Sequence, residues 1–292
     1  MIDESLEHIA RFVYRRSRLF FPGHKISLLK SRLGERLAAL KLPDLAAYHA
    51  HLQNSQSEET ILLDSLTTNE TFFFRNQKQF RYLAEKILPE TEAEKGKEVV
   101  RSWGRAEAAG DGSIMKLRIL CAGCSTGEEP YSVAMTLLET LRYPKAWDIE
   151  ILAGDINTSC IKTAISGFYE SDRLKGIPAA YLDKYMVATN SGATFKNDVK
   201  KLIKFCRLNL KNLMNIEKFP AINEKYTGFD IIFCRNVMIY FSPEAQQQLV
   251  DALYRSLLPG GYLFTGDAEP LHLYEHGFTS VKDAGCLIYR KI

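Results

Sequence analysis

"RILCAGCSTGEEPYSVA" (residues 118–134) decides how the chain around it folds. An apolar, strand-forming run gives way to a turn carrying Gly123 and Gly127, and the turn opens into a helical run at Glu128. This is the start of a nucleotide-binding α/β unit. The helix N-terminus offers free N–H groups to an anion, and glycine lets a ligand approach the main chain. Pro130 fits the first helical turn. The dinucleotide spacing G-x-G-x-x-G is absent, and Glu128 and Glu129 stand where they would repel a pyrophosphate. The turn therefore expects a ligand with positive charge as well as a carboxylate. S-adenosylmethionine, with a sulfonium, an ammonium and one carboxylate, has that character.

Downstream the chain alternates. Strand-like runs "LRILCA", "DIEILAGD", "LIKFCRL", "FDIIFCR", "GYLFTGD" and "GCLIYRK" are separated by helical runs such as "SPEAQQQLVDALYRSL". That order predicts an α/β fold with a parallel sheet covered on both faces, closed by an antiparallel strand after "EHGFTSVKDAG". The stretch 170–204 is too long and polar for a plain crossover and predicts a small three-stranded insert, its strands drawn from "YMVATNSGATF" and "KLIKFCRL". Asp155 ends the second strand, 28 residues after Gly127, where an acid accepts ribose hydroxyls. The alternative is a helix cap, for which Asn157 is an equal candidate. "RLNL" (207–210) and "CRNVMIYF" (234–241) put further polar groups at strand ends. Tyr240 reads either as one of these or as a packed aromatic.

Upstream, residues 1 to about 90 read as all helix. "ISLLKSRLGERLAALKL" sets Leu28, Leu29, Leu33, Leu37 and Leu40 on one stripe, and Asp44 is placed to cap the next helix. In "LTTNETFFFRN" (66–76) three consecutive phenylalanines fit no single helix face. They predict a segment wedged between the helical part and the sheet, bringing Asn69, Thr71 and Arg75 to the ligand. The expected division is a helical domain over 1–78, a linker over 79–116 with "VVRSW" as a short strand, and the α/β domain over 117–292.

The 292 residues carry a net charge of +3 and are 46% hydrophobic, too balanced to suggest nucleic-acid binding. No apolar run of about 18 residues predicts a membrane span, and the start lacks a signal-peptide pattern. Most of the six cysteines sit in apolar contexts, which suits buried thiols in a reducing cytoplasm. Cys121 and Cys124 form a C-x-x-C, but no second pair completes a zinc set. No metal is expected.

Together "TTNETFFFR", "CAGCSTGEEPYSVAMTLLE", "LAGDIN", "FDIIFCRNVMIYF" and "LLPGGYLF" closely resemble the CheR family of chemotaxis receptor methyltransferases, in order along nearly the whole chain. The resemblance implies an all-α N-terminal domain and a Rossmann-like methyltransferase domain with a small β-rich insert. It implies methylation of glutamate side chains on chemoreceptor cytoplasmic helices, with S-adenosyl-L-methionine as cofactor and S-adenosyl-L-homocysteine as product. Carried over, cofactor contacts fall on Asn69, Thr71, Arg75, Gly123, Glu128, Asp155, Asn209, Leu210, Arg235 and Asn236. Tyr240 falls near the transferred methyl. Some members grip a receptor C-terminal peptide with the insert. The resemblance also gives the basic residues Lys25, Lys30, Arg32 and Arg36 a part in docking on acidic receptor helices. The segment 96–113 is longer than the family's usual connection. A further active-site arginine has no assigned counterpart; Arg81 is the nearest basic residue. A carboxylate nucleophile is already ionised at neutral pH, with a normal pKa of about 4.3, so no general base is required. None of the six histidines lies in a motif. The rival classes are a nucleic-acid methyltransferase and a non-catalytic S-adenosylmethionine-binding regulator.

Overall fold

The computed structural model describes residues 4–103, 115–214, 228–283 and 285–292. Four helices come first: α1 (Glu4–Ser17), α2 (Ile26–Leu40), α3 (Leu45–Asn54) and α4 (Gln56–Leu66). Asp44 accepts the Ala47 N–H at 2.8 Å and Ser55 the Glu58 N–H at 3.2 Å, each satisfying a donor that the helix start leaves open. Leu6, Ile9 and Val13 recur at helical spacing and share one core with Leu29, Leu33, Tyr48 and Leu62. The stripe on α2 is narrower than its sequence suggests, since Leu28 is 37% exposed.

The expected basic face of α2 is corrected in part. Arg36 donates from Nε and Nη2 to the Glu58 carboxylate at 2.8 and 2.7 Å, and the Tyr48 hydroxyl donates to it at 2.8 Å. The side chains of this pair are 19% and 3% exposed, so Arg36 ties α2 to α4 and offers nothing to a partner. Arg32 pairs with Glu35 at 3.0 Å, and Lys25 Nζ donates to the Ile239 carbonyl at 2.9 Å.

The stretch expected as a linker is mostly helix. α5 (Gln77–Tyr82) passes through one π turn (Leu83–Ile87) into α6 (Leu88–Trp103). "VVRSW" therefore continues a helix and is not a strand. Charge docks α6 where an apolar stripe is weak: Lys95 pairs with Asp230 at 2.9 Å, while Glu90 accepts from Tyr262 at 2.7 Å and pairs with Arg290 at 2.8 Å. The part of the 96–113 segment after Trp103 lies outside the described residues.

Seven strands form the main sheet: β1 (Met115–Ala122), β2 (Trp147–Asp155), β6 (Ile203–Arg207), β7 (Phe229–Cys234), β8 (Leu257–Thr265), β9 (Phe278–Asp283) and β10 (Cys286–Lys291). Their order is β6-β2-β1-β7-β8-β10-β9. The first five are parallel, and β10 and β9 close the edge antiparallel, as expected. Alternate residues of β1 serve two cores. Leu120 and Ala122 face the one shared with α1–α4, while Ile119 and Cys121 face the other. The helical domain is thus packed onto one face of the sheet. The strand order reverses direction between β1 and β7, where open α/β sheets leave a crevice beyond the strands' carboxyl ends.

The insert is a three-stranded antiparallel sheet, β3 (Phe168–Glu170), β5 (Gly192–Phe195) and β4 (Met186–Ala188), in the order β3-β5-β4. Its third strand is β3; "KLIKFCRL" belongs to the main sheet as β6. Phe195 stacks on Tyr131 at 4.0 Å between ring centres, fastening the insert to α7 (Glu128–Thr140). The three phenylalanines separate as expected. Phe73 packs on Tyr169 and Phe195, Phe74 on Phe80 and Tyr181, and Phe72 stays 50% exposed.

Candidate active site

A cleft opens at the carboxyl ends of β1, β2 and β7. Ser17 and Leu19 at the end of α1 and the 66–75 segment form its other wall. It encloses about 960 Å³ of empty space, part of it open to solvent.

The glycine turn builds the floor. Gly123 and Cys124 both donate N–H to the Gly154 carbonyl, at 2.8 and 3.0 Å, which locks the turn to the end of β2. Gly123 has φ +88°, and a Cβ there would collide with Val237. Glycine is therefore required for the turn to reach the cleft wall.

Asp155 lines the cleft and is 8% exposed. Its carboxylate accepts the Ser125 N–H at 2.8 Å and the Asn157 N–H at 2.9 Å. Burial pushes its carboxyl above the usual range, and these two bonds oppose the shift. The helix-cap role falls to Asn157, whose Oδ1 accepts the Cys160 N–H at 2.9 Å at the start of α8 (Thr158–Ser166). Its Nδ2 donates to the Asp64 carbonyl and to Thr67 Oγ1, at 3.0 and 2.8 Å. Both carboxylate oxygens of Asp155 keep lone pairs free for a ligand's hydroxyls.

Arg235 follows β7 and is 5% exposed. Its Nη2 donates to the Arg75 carbonyl at 2.5 Å, and its Nε lies 3.5 Å from Glu129 Oε2. That separation makes an ion pair and no hydrogen bond, so Nε and Nη1 are buried without a hydrogen-bond partner. Burial pulls the pKa of this guanidinium below its ordinary value, and the Glu129 charge opposes that effect. Burial likewise pushes the Glu129 carboxyl up, against the pull of Arg235. A buried cation with open N–H groups beside a buried acid fits a ligand carrying both a carboxylate and an ammonium.

The remaining positions converge on the same cleft. Asn69, Thr71 and Arg75 line it from the 66–75 segment. Ser125 Oγ donates to the Asn69 carbonyl at 3.2 Å, and Arg75 Nη1 donates to the Glu70 carbonyl at 2.9 Å. Asn209 and Leu210 line it beyond β6, with Asn209 Nδ2 held by the Arg16 carbonyl at 2.7 Å. Asn236, at φ 59°, and Tyr240 line it beyond β7. The Tyr240 main chain is fixed by Phe20, whose N–H donates to its carbonyl at 2.9 Å. Among the described residues the Tyr240 hydroxyl has no hydrogen-bond partner.

Glu128 lies outside the cleft. It accepts from Thr126 Oγ1 at 2.7 Å and pairs with Arg173 of the insert, its side chain 1% exposed. Its neighbour Glu129 is the acid that lines the cleft. The two were adjacent in the sequence and equally acidic, and nothing local separated them. Ser17 and Leu19 carried no signal as cleft residues. Cys121 and Cys124 are buried, and burial pushes both thiols well up, the opposite of an activated cysteine.

Two family models match the chain. The CheR methyltransferase all-alpha domain covers residues 4–67, and the CheR methyltransferase SAM binding domain covers residues 69–285. A chemotaxis protein methyltransferase of Escherichia coli is 32% identical over 283 residues, spanning 95% of this chain and 88% of that one. One from Borreliella burgdorferi is 32% identical over 272 residues, spanning 92% and 88%. The chemotaxis protein methyltransferase 2 of Vibrio cholerae is 30% identical over 263 residues, spanning 89% and 83%. An all-α domain, a glycine turn in a Rossmann-like sheet and matches of this extent have one explanation: the chain belongs to the CheR methyltransferase family and uses S-adenosylmethionine as its cofactor.

Proposed function

We propose that the chain methylates glutamate side-chain carboxylates on the cytoplasmic helices of chemoreceptors, giving glutamyl methyl esters in chemosensory adaptation. Relatives bearing the name chemotaxis protein methyltransferase support this reading. The observation that carries it is the lining of the cleft. No histidine or lysine is among the described residues around it, and its buried acids Glu129 and Asp155 are tied to Arg235 and to backbone N–H groups, which leaves Glu70, an exposed carboxylate at the rim, as the remaining acid. A hydroxyl or amine nucleophile needs a group to take its proton, whereas a carboxylate arrives ionised.

S-adenosylmethionine supplies the electrophilic methyl group when bound. Arg235, with its two open N–H groups, holds the carboxylate of the cofactor, and Glu129 holds the ammonium. Arg75 adds positive charge to the carboxylate side. Asp155 accepts the ribose hydroxyls, and Asn209 and Leu210 border the adenine. Asn69 and Thr71 cover the cofactor from the helical side. Tyr240 orients the incoming carboxylate through one neutral hydrogen bond; a lysine there would hold the anion too tightly for it to react. We assign residues 1–78 to receptor docking and residues 117–292 to methyl transfer, in a cytoplasmic enzyme.

The test incubates the protein with labelled S-adenosylmethionine and chemoreceptor membranes, with RNA in parallel. Label in the receptor band, released as methanol by alkali, is the expected result. Alkali-stable label in RNA would make it a nucleic-acid methyltransferase, and cofactor binding without transfer to either would make it a regulator.

A further inference from the structure

We propose that Glu269 is a positioning residue for methyl transfer, holding the loop from Arg235 to Tyr240 in its working shape. The inference rests on the reading of Arg235 and Tyr240 given above. Glu269 lies on the turn that follows β8 and is 3% exposed. Its Oε2 accepts the Asn236 N–H at 2.5 Å and the Gly266 N–H at 2.9 Å, and its Oε1 accepts the Ile239 N–H at 3.3 Å. Its own N–H donates to the Gly266 carbonyl at 2.9 Å, closing the turn. One buried carboxylate thus takes N–H groups from both ends of a loop that belongs to a different strand.

That loop needs such an anchor. Asn236 has φ 59°, a left-handed conformation that costs a residue with a side chain free energy unless its surroundings impose it. The bond from its N–H to Glu269 helps hold it. At the far end the Ile239 N–H belongs to the single 3₁₀ turn Met238–Tyr240, too short to hold itself. Its carbonyls reach other elements: Met238 accepts from Gln246 at 2.8 Å as well as from the Phe241 N–H at 2.9 Å, Ile239 from Lys25 at 2.9 Å and Tyr240 from Phe20 at 2.9 Å. The Tyr240 N–H donates to the Val237 carbonyl at 3.2 Å, and among the described residues only the Glu269 carboxylate accepts both the Ile239 and the Asn236 N–H. A Cβ on Gly266 would sit 2.6 Å from Glu269 Oε2 and 2.8 Å from Asn236 Nδ2, so glycine there makes room for the carboxylate.

Glutamine keeps the size but brings an amide that donates, facing backbone N–H groups with which it cannot bond. Glu269→Gln is therefore expected to raise amide hydrogen exchange at Asn236 and Ile239 while other amides stay protected. S-adenosylhomocysteine affinity, read by calorimetry, should fall about tenfold. Turnover should fall about tenfold, with the Michaelis constant for receptor unchanged within about threefold. In a Tyr240→Phe background and at saturating cofactor the same substitution should change turnover by less than about twofold, because its effect on turnover, unlike that on affinity, runs through the Tyr240 hydroxyl. Equal losses in both backgrounds, or unchanged exchange at Asn236 and Ile239, overturn the proposal. If the glutamine variant does not fold, Glu269→Asp, which keeps the anion on a shorter arm, takes its place; failure of both to fold makes Glu269 merely structural and overturns it too. Should the wild type methylate no glutamate, the proposed function falls, while the exchange and calorimetry still decide on Glu269.

Discussion

Arg235 Nε stands 3.5 Å from Glu129 Oε2 in the cleft wall, close enough to pair by charge and too far to share a proton. The unmet N–H groups of Arg235 leave it open to an anionic ligand in the cleft. Arg235→Ala is expected to weaken S-adenosylhomocysteine binding by about 1.5–3 kcal/mol, roughly 10- to 150-fold. It also leaves Glu129 buried without its cation, so that acid takes up a proton at higher pH than in the wild type. Calorimetry across pH checks both effects: the binding loss, and a proton uptake that moves upward in pH.

Asp155→Ala removes the acceptor for two backbone N–H groups and, on the proposed function, for the ribose. Affinity should fall by roughly 10- to 150-fold. The melting temperature should fall too, since the Ser125 and Asn157 amides lose their partner. Unchanged affinity in a folded variant would reduce Asp155 to a brace for the turn.

Tyr240→Phe keeps the ring beneath Lys25, whose Nζ lies 5.6 Å from its centre, and removes only the hydroxyl. Cofactor affinity should stay within about threefold while turnover falls about tenfold or more. Wild-type turnover would leave Tyr240 as packing alone.

Much of this was legible in the residues because the signals were local. "RILCA" followed by Gly123 and Gly127 carries its own strand, turn and helix start, and Asp155 follows from the end of the next strand. What was not legible depended on partners far along the chain. Glu128 and Glu129 are separated by about 100° around a helix, so one faces the cleft and the other the insert. Arg173, 45 residues from Glu128, and Arg235, beside Glu129, show which is which. Likewise α6 has Gly96 in its interior and docks by ion pairs to Asp230 and Arg290, leaving no apolar period to read. Glu269 lies in a turn whose importance comes from a loop 33 residues away.

Arg36 and Glu58 offer a test of the helical domain. Burial alone would push the Glu58 carboxyl up, but hydrogen bonds from Arg36 and Tyr48 outweigh it and hold the group below the usual range. A carboxyl lowered in the folded state adds stability above its unfolded pKa, and that stability is lost as pH falls through the folded value. Glu58→Gln should therefore cost stability at neutral pH and little at strongly acid pH. Arg36→Glu should destabilise by about 3–5 kcal/mol, whereas Arg32→Glu, at an exposed pair, should change stability by less than about 1 kcal/mol. Thermal unfolding from pH 3 to pH 8 reads all three. An Arg36→Glu variant of unchanged stability with a raised Michaelis constant for receptor would return Arg36 to the docking face.

The insert supplies the last test. Arg173 is the cation for Glu128, whose side chain is 1% exposed while that of Arg173 is 35% exposed. Burial raises the Glu128 carboxyl, and Thr126 and Arg173 pull it back. Removing Arg173 leaves an acid that folding must bury unpaired at neutral pH. Its folded pKa then rises further above the unfolded value, so the folded state binds a proton that the unfolded state releases. Stability of Arg173→Ala should therefore decline relative to the wild type as pH rises from about 4 to 7. The deficit at pH 7 should reach about 1–3 kcal/mol, below that for a fully buried pair because Arg173 is partly wet. Adding Glu128→Gln removes the charge and should recover most of that deficit at pH 7 while changing little at pH 4. The same pair bears on receptor tethering. β4 is an outer strand of the insert sheet with no further strand paired to it among the described residues, the kind of edge to which a peptide strand adds, and Glu128–Arg173 links that sheet to the glycine turn. If a chemoreceptor C-terminal peptide binds there, the wild type should bind it more tightly than Arg173→Ala. Equal binding would mean that the edge works without the turn, and no binding alongside intact receptor methylation would leave the insert as a flap and recognition to the helical domain.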